Sequence, residues 1–230
     1  MKTILTLFAF AFLIDSASYA SAQDQPSATP TLSGFKVGDV PKTLRNGDIV
    51  FHDSGSGQSV AIKALTKSPY SHVGIYLNGF VYEAHNGVEK TAIAKWSDRP
   101  RTAEPHKNTT PWKALRLKDH PDGLSNEETK KMEGLFTPKV MAIGYDKLFQ
   151  WSDTKLYCSE LVWKAYEKLD VSVGKKETFA VFKFDTVEAI ALANARYGGV
   201  DKLPLNETVV TPQAIYESNL LDLVPPLKER

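Results

Sequence analysis

The 230-residue chain contains one cysteine, Cys158, and has no ligand spacing of the His-x-His, His-Glu-x-x-His or Cys-x-x-Cys type. A lone thiol cannot form an internal disulfide, so it is either a small buried hydrophobe or a chemically reactive group. Without a ligand spacing typical of zinc, a dedicated metal site is not predicted. The lack of other cysteines therefore directs attention to the surroundings of this one thiol.

An excess of charge of one sign is also lacking. The chain has 28 Lys and Arg residues against 27 Asp and Glu residues, a formal net charge of +1. This balance gives no electrostatic reason to expect nucleic acid or an acidic membrane surface as a partner. The sequence shows no internal repeats, and no apolar run beyond the N-terminal residues is long enough to span a bilayer. We therefore expect no integral membrane segment once the N-terminal run is removed.

The N-terminal residues have the three parts of a signal peptide. Lys2 provides a positive start, Ile4–Ile14 is an apolar run, and Ala20-Ser21-Ala22 is a small-residue cleavage site. The sequence thus predicts a signal peptide over 1–22, a Pro/Ser/Thr-rich flexible tether over 23–33 and a single domain over 34–230. The expected location is the periplasm or the exterior of the cell.

Short strands are predicted in the middle of the chain. Asn46-Gly47 signals a turn, and Asp48–His52 after it is typical of a strand. Asn78-Gly79 lies between two apolar runs, Val73–Leu77 and Phe80–Ala84, which is the strongest short-range hairpin signal because both turn residues tolerate positive φ. Strands in the middle with helices on either side favour an α+β fold over a parallel βαβ array.

The remaining elements are predicted from periodicity and end signals. Helices are expected over 60–66, over 126–136 with Ser125 as N-cap, over 157–169, and over 185–197, where Gly198-Gly199 ends the helix. Lys113–Lys118 is predicted as a strand, and 91–96 as an edge strand or a short helix.

The hairpin turn determines which side chains share a face. A two-residue loop places Gly74 opposite Glu83 and His72 opposite His85, and side chains alternate between faces. His72 therefore has Glu83 as a diagonal neighbour and His85 directly across from it on a polar face, whereas the other face is apolar and belongs to a core. A base beside an orienting group is the arrangement that a nucleophile requires. Either Glu83 or His85 could be that orienting group.

Cys158 lies where the predicted helix over 157–169 begins. Val162, Ala165 and Tyr166 share its face of the helix, which must pack inward. If that face packs on the polar face of the hairpin, the thiol meets His72, and the helix N-terminus and an imidazolium would both lower the pKa of the thiol. The alternative interpretation is a buried cysteine and a structural histidine.

Three aromatic residues near Cys158 in sequence are candidate substrate-binding residues: Tyr145, Trp151 and Tyr157. The alternative is that they belong to the core, as aromatic residues usually do. Two loop-rich stretches, Pro100–Trp112 and Thr137–Asp153, could each roof a cleft. A narrow, roofed cleft would favour short ligands.

Five segments in order resemble a known family. They are Asn46-Gly47-Asp48-Ile49-Val50-Phe51, Ser71-His72-Val73-Gly74-Ile75-Tyr76, Val81-Tyr82-Glu83-Ala84, Gly144-Tyr145-Asp146 and Tyr157-Cys158-Ser159-Glu160-Leu161. Together they are similar to the permuted NlpC-type papain-like cysteine hydrolases of the YiiX/YebB-like branch. As in that permuted order, the histidine precedes the cysteine.

The resemblance implies an α+β papain-like core, a small antiparallel sheet packed on the nucleophile helix. It implies Cys158 as nucleophile, His72 as general base and Glu83 as orienting residue, with no metal and no organic cofactor. Relatives place different residues at the third position, so Glu83 is the least firmly assigned.

The implied activity is that of an amidase or peptidase acting on a small amide- or ester-containing substrate, such as a cell-wall peptide or an acyl-amino acid. Two alternatives stay open: a lipid acylhydrolase or acyltransferase that uses the same site, and a non-catalytic binding protein on the same fold. The sequence leaves the oligomeric state undetermined.

Overall fold

The computed structural model describes residues 35–36, 40–99 and 112–225. The predicted signal peptide over 1–22 and the tether over 23–33 lie outside the described residues, as does the predicted loop Pro100–Trp112 apart from Trp112 itself. Within the part of the chain that is described, no helix combines the length and hydrophobicity that a bilayer crossing requires.

The described chain is mixed helix and sheet. The strands are β1 (Asp48–His52), β2 (His72–Leu77), β3 (Phe80–Ala84), β4 (Val88–Ala92), β5 (Lys113–Leu117), β6 (Gly144–Tyr145), β7 (Lys155–Leu156), β8 (Glu177–Thr178), β9 (Thr208–Val209) and β10 (Leu221–Leu223). The α-helices are α1 (Ser59–Thr66), α2 (Ile93–Ser97), α3 (Asn126–Glu133), α4 (Pro138–Met141), α5 (Cys158–Glu167), α6 (Val187–Tyr197) and α7 (Pro212–Tyr216). Short 3-10 helices cover Phe179–Val181 and Val200–Lys202.

Six strands form one antiparallel sheet in the order β10-β5-β1-β2-β3-β4. The predicted hairpin of β2 and β3 is confirmed, with Ile75 paired to Tyr82 and Leu77 to Phe80. Its turn is made by Asn78-Gly79 at φ 49° and 85°, the positive values that this dipeptide tolerates. The α+β fold class predicted from the sequence is therefore confirmed.

The two faces of the sheet are covered by different groups of side chains. Val73 and Ile75 of β2 belong to the larger core together with Leu161, Val162 and Tyr166 of α5. The helix α5 thus packs on the apolar face of the hairpin, and the polar-face packing considered from the sequence is wrong. The physical reason is that an apolar helix stripe gains most by burying itself against an apolar sheet face.

The opposite face of the sheet carries a second, smaller core. Val81 on β3 packs there with Trp96 of α2 and with Trp112, whose ring centroid is 5.5 Å from that of Trp96. Glu83 follows Val81 by two residues and shares its face, so the polar face of the hairpin is buried as well. This arrangement places a carboxylate inside the protein, where it requires partners.

The other predicted elements agree in type and differ at their ends. Ser125 is the N-cap of α3 in a full capping box with Glu128, yet the helix ends at Glu133 rather than at 136. The segment over 91–96 contains both of the predicted alternatives, since β4 ends at Ala92 and α2 begins at Ile93. The predicted helices over 157–169 and 185–197 are α5 and α6.

Candidate active site

Cys158 is the first residue of α5 and is 5% exposed. Tyr157 before it is the N-cap residue in an extended conformation, and β7 leads directly into this junction. The thiol therefore lies at the N-terminal end of a ten-residue helix, where unpaired backbone N–H groups and the helix dipole favour a negative charge.

His72 is the first residue of β2, and its side chain meets the thiol at that end of the strand. The His72 side chain and the backbone of Val73 lie close enough to the Cys158 thiol that both act to lower its pKa. Because both residues stand at the first position of their elements, the contact forms although α5 covers the apolar face of the sheet. The structure thus brings together the cysteine and histidine that the sequence placed 86 residues apart (158 − 72).

The two groups shift each other's pKa in opposite directions. Burial acts to raise the pKa of the Cys158 thiol, but the charge and hydrogen bond of His72 outweigh burial and lower it below its ordinary value. Burial acts to lower the pKa of His72, and the opposing charges of Cys158 and Glu83 raise it to about 9. Both shifts favour a thiolate beside an imidazolium.

Glu83 is fully buried and accepts hydrogen bonds on both of its carboxylate oxygens. His72 Nε2 donates to Oε2 at 2.6 Å, and Trp96 Nε1 donates to the same oxygen at 3.0 Å. Thr91 Oγ1 donates to Oε1 at 2.8 Å, and the Arg99 guanidinium contacts both oxygens. Burial opposes ionisation, yet these partners lower the pKa of Glu83 to about 2. Glu83 is therefore an ionised carboxylate that is hydrogen-bonded to the histidine ring.

The bond to Glu83 uses Nε2 of His72 and so leaves Nδ1 as the ring nitrogen for the thiol. His85, the other candidate orienting residue, lies with its ring centroid 5.9 Å from that of His72. Its Nδ1 is paired with Glu89 at 3.1 Å, and burial and the nearby positive charges lower its pKa. In the structure the direct partner of His72 is Glu83.

A third histidine adjoins this group. The ring centroid of His52 is 5.0 Å from that of His72 and 4.4 Å from that of Trp96, and Nδ1 lies 2.9 Å from the carbonyl oxygen of Asp53. Ligand atoms of His52, His72 and Glu83 lie within 4.8 Å of one another.

Tyr145 lies near the thiol and takes part in a polar chain. Gln58 Nε2 donates a hydrogen bond to its hydroxyl at 2.8 Å, and the Arg196 guanidinium donates to Gln58 Oε1. Burial raises the pKa of Tyr145, and the nearby Cys158 raises it further, so the phenol stays neutral. Gln58 and Arg196 were not found from the sequence, because Gln58 reaches the site from the residue before α1 and Arg196 reaches it from α6.

The other two aromatic candidates lie in different places. The Tyr157 hydroxyl accepts a hydrogen bond from the Val210 backbone at 3.1 Å, and the residue lines a cleft beside Cys158. Trp151 instead packs its ring 5.2 Å from that of Trp163, in the wall of a separate groove. The structure therefore brings Tyr145 and Tyr157 to the thiol, and it does not bring Trp151 there.

The cleft beside Cys158 is walled mainly by hydrocarbon side chains. Its aromatic and aliphatic lining comprises Ile62, Leu65, Phe149, Tyr157, Phe179, Phe182, Phe184, Leu192, Tyr197, Val209, Val210 and Pro212. The sequence signal that could have pointed to it is the run of three phenylalanines over 179–184.

Comparisons with known proteins identify the family of the chain. Residues 43–225 match the sequence profile of the family described as permuted papain-like amidase enzyme, YaeF/YiiX, C92 family. The chain is 33% identical over 185 residues to "Uncharacterized protein YiiX" of Escherichia coli K12. The matched region covers 78% of this chain and 85% of that protein.

A solved structure is similar over much the same length. It is titled as the crystal structure of metalloprotein yiiX from Escherichia coli O157:H7, and it superposes with a TM-score of 0.68 at 33% identity. The match covers 80% of this chain and 98% of the other. With a family match over most of its length, the chain belongs to the YaeF/YiiX, C92 family of permuted papain-like amidases.

Proposed function

We propose that the protein is an exported cysteine amidase that acts through a covalent acyl-enzyme, with Cys158 as nucleophile, His72 as acid and base, and Glu83 as the orienting carboxylate. The observation that carries the proposal is the buried chain from thiol to imidazole to carboxylate, closed by the 2.6 Å contact between His72 and Glu83. Family membership supports the amidase class.

Acylation begins with attack of the Cys158 thiolate on the carbonyl carbon of the amide. Negative charge develops on the carbonyl oxygen, and the backbone N–H groups at the start of α5 are positioned to donate to it. The His72 imidazolium then transfers its proton to the leaving nitrogen as the C–N bond breaks. The amine departs, the acyl group stays on sulfur as a thioester, and His72 is left neutral.

Deacylation uses the same groups in reverse. Neutral His72 takes a proton from water, and the resulting hydroxide attacks the thioester carbon. The C–S bond breaks, the carboxylic acid product leaves, and the thiolate–imidazolium pair is restored. Throughout this cycle Glu83 stays ionised, because four neighbouring side chains donate to it, and it stabilises the charged ring of His72.

A metal ion does not fit these residues in the arrangement described. The word metalloprotein is printed for the similar Escherichia coli structure, and His52, His72 and Glu83 are the described group nearest to a ligand set. However, Nε2 of His72 and Oε2 of Glu83 are only 2.6 Å apart, and the Arg99 guanidinium occupies the carboxylate. A cation would need both contacts broken, so we assign it no step.

Export and substrate size complete the proposal. The signal-peptide pattern over 1–22 supports export, and the substrate is a small amide such as an acyl-amino acid or a cell-wall peptide. The lipid acylhydrolase or acyltransferase alternative keeps the same nucleophile and is favoured by one observation, the hydrocarbon lining of the cleft beside Cys158.

The test is hydrolysis by purified protein of acyl-amino acids, muropeptides and phospholipids, with Cys158→Ala as the matched control. We expect amine release that disappears in Cys158→Ala, together with an acyl adduct on Cys158 detected by intact mass in wild type. Cleavage confined to phospholipid would favour the lipid acylhydrolase. No turnover and no adduct with any substrate would favour a binding protein on the same fold.

A further inference from the structure

The apolar cleft beside Cys158 has no role yet in the proposed reaction. We propose that it binds the acyl part of the substrate and that this part is a long aliphatic chain rather than a peptide. The proposal rests on the proposed function, since it assigns the substrate class of the same thiol. Three observations carry the proposal. They are the side of the thiol on which the cleft lies, the hydrogen bonds that the hydroxyl groups of the cleft wall make within the protein, and the lack of charged side chains in the described lining of the cleft.

The position of the cleft identifies which half of the substrate it receives. Cys158 and Tyr157 line it, whereas the described residues His72 and Glu83 do not. His72 must protonate the leaving nitrogen, so the leaving group lies on the histidine side of the sulfur. The group that stays on the sulfur therefore extends away from His72, into the cleft.

The hydroxyl groups of the cleft wall are directed to partners within the protein. Ser159 Oγ donates to the Val210 carbonyl at 2.7 Å, and the Tyr157 hydroxyl accepts from the Val210 N–H at 3.1 Å. Thr66 Oγ1 donates to the Ile62 carbonyl at 2.8 Å.

The remaining hydroxyls of the wall behave in the same way. Thr211 Oγ1 accepts from the Ala214 N–H, Tyr197 donates to the Leu148 carbonyl, and Ser71 bonds to Ser59 and Asp53. Four of these six hydroxyls donate within the protein and the other two accept from backbone N–H groups. A peptide in this cleft would therefore bury amide groups with few hydroxyl donors to meet them, whereas a hydrocarbon chain needs none.

The described lining contains no Lys, Arg, Asp or Glu side chain. A charged amino acid side chain or a terminal carboxylate would consequently lose its water without gaining an ion pair. Ile62 and Leu65 of α1 line the cleft together with Leu192 of α6, and the phenylalanines over 179–184 add aromatic surface. Hydrocarbon walls of this kind can bury the methylene groups of an aliphatic chain that enters through the open mouth of the cleft.

The experiment measures kcat/KM of the purified protein for N-acyl-glycines with acyl chains of two to twelve carbons. Burial of each methylene predicts a rise of roughly fourfold per carbon until the slot is full, and so about a thousandfold from two to seven carbons. Because the leaving group is constant, the length dependence reports the acyl site alone.

Leu192→Trp and Val187→Trp form a matched pair on the same helix. Leu192 lines the cleft, whereas Val187 is 80% exposed. The quantity compared is the kcat/KM for the twelve-carbon substrate divided by the kcat/KM for the four-carbon substrate. We expect Leu192→Trp to lower this ratio at least tenfold and Val187→Trp to leave it unchanged. In wild type, decanoate but not acetate should slow alkylation of Cys158, a readout that needs no variant.

The outcomes separate the two levels of the proposal. Turnover that depends on Cys158 but is flat or falls with chain length, without protection by decanoate, would refute the acyl-chain site and leave the amidase intact. Equal effects of the two tryptophan variants would likewise refute it. Absence of any Cys158-dependent turnover or acyl adduct would refute the proposed function, and the inference with it.

Discussion

Replacement of Glu83 by glutamine tests whether the buried carboxylate sustains the reactive thiol. The carboxylate accepts from His72, Thr91, Trp96 and Arg99, which are all donors. Glutamine keeps the shape but offers one accepting oxygen, and its amide N–H groups would face those donors. The variant therefore loses a charge and also gains an unfavourable contact in a fully buried position.

The magnitude follows from the pKa of Glu83, which is lowered from 4.5 to about 2. This difference corresponds to roughly 3 kcal/mol of preference for the ionised form in the folded state. Because the folded pKa is depressed, that stabilisation is present above pH 4.5 and is lost as pH falls through about 2. For a domain of this size we expect Glu83→Gln to lower Tm by about 6–12 °C at pH 7.

The same substitution should change the chemistry of Cys158. Without the carboxylate, the pKa of His72 falls from about 9, fewer molecules carry the imidazolium, and the pKa of the thiol rises toward its ordinary value. The assay is the rate of iodoacetamide alkylation of Cys158 against pH. We expect the midpoint to move upward in Glu83→Gln and kcat/KM for amide cleavage to fall about a hundredfold or more.

His85→Gln is the matched control, because His85 adjoins His72 but bonds to Glu89 instead. Its alkylation profile and its kcat/KM should stay within about threefold of wild type, as expected for a partly exposed pair. If Glu83→Gln labels as fast as wild type at pH 7 while His85→Gln labels slowly, the orienting role belongs to His85 and the reasoning from the buried network is refuted.

Four further predictions concern the same chain. In wild type the alkylation midpoint of Cys158 should lie clearly below ~8.5, the ordinary thiol value; a midpoint at that value would remove the case for a nucleophile. His72→Ala should slow alkylation near pH 7 and abolish turnover with the circular dichroism spectrum retained, whereas unchanged alkylation would show that His72 is not the partner of the thiol. Because the pKa of His72 is raised to about 9, kcat/KM should fall as pH rises through that value, and a profile flat to pH 10 would contradict an imidazolium acid. Sequencing of the exported protein should begin at Gln23, and a mature chain that retains Met1 would show that the leader is not cleaved.

The hairpin and its register could be predicted because all the necessary information is local. Asn78-Gly79 fixes the turn, and the turn fixes which residues of β2 and β3 share a face. The diagonal relation of His72 to Glu83 follows from that register alone, and the structure places their side chains 2.6 Å apart. A candidate base and its orienting group could thus be named from a few residues on either side of one turn.

The partners of Glu83 from outside the hairpin could not be predicted in this way. Trp96 and Arg99 reach the carboxylate from α2 and the residues after it, and their positions depend on how α2 packs over the second core. The cleft beside Cys158 is a similar case, because α1, α6 and the chain around Phe179 meet there only in the folded protein. Contacts between elements distant in sequence leave no periodic pattern.

The side of the sheet on which α5 packs explains how a buried carboxylate and a large core coexist in this fold. Cys158 and His72 both stand at the first position of their elements, so they meet at the end of the sheet and neither face needs to be left open for them. The apolar face is then available for α5, and the opposite face buries Glu83 under α2. The carboxylate that bonds to His72 and the packing of α5 therefore lie on opposite sides of one sheet. Substitutions in the Glu83 network should consequently alter the ionisation of the thiol while the core beneath α5 keeps its packing.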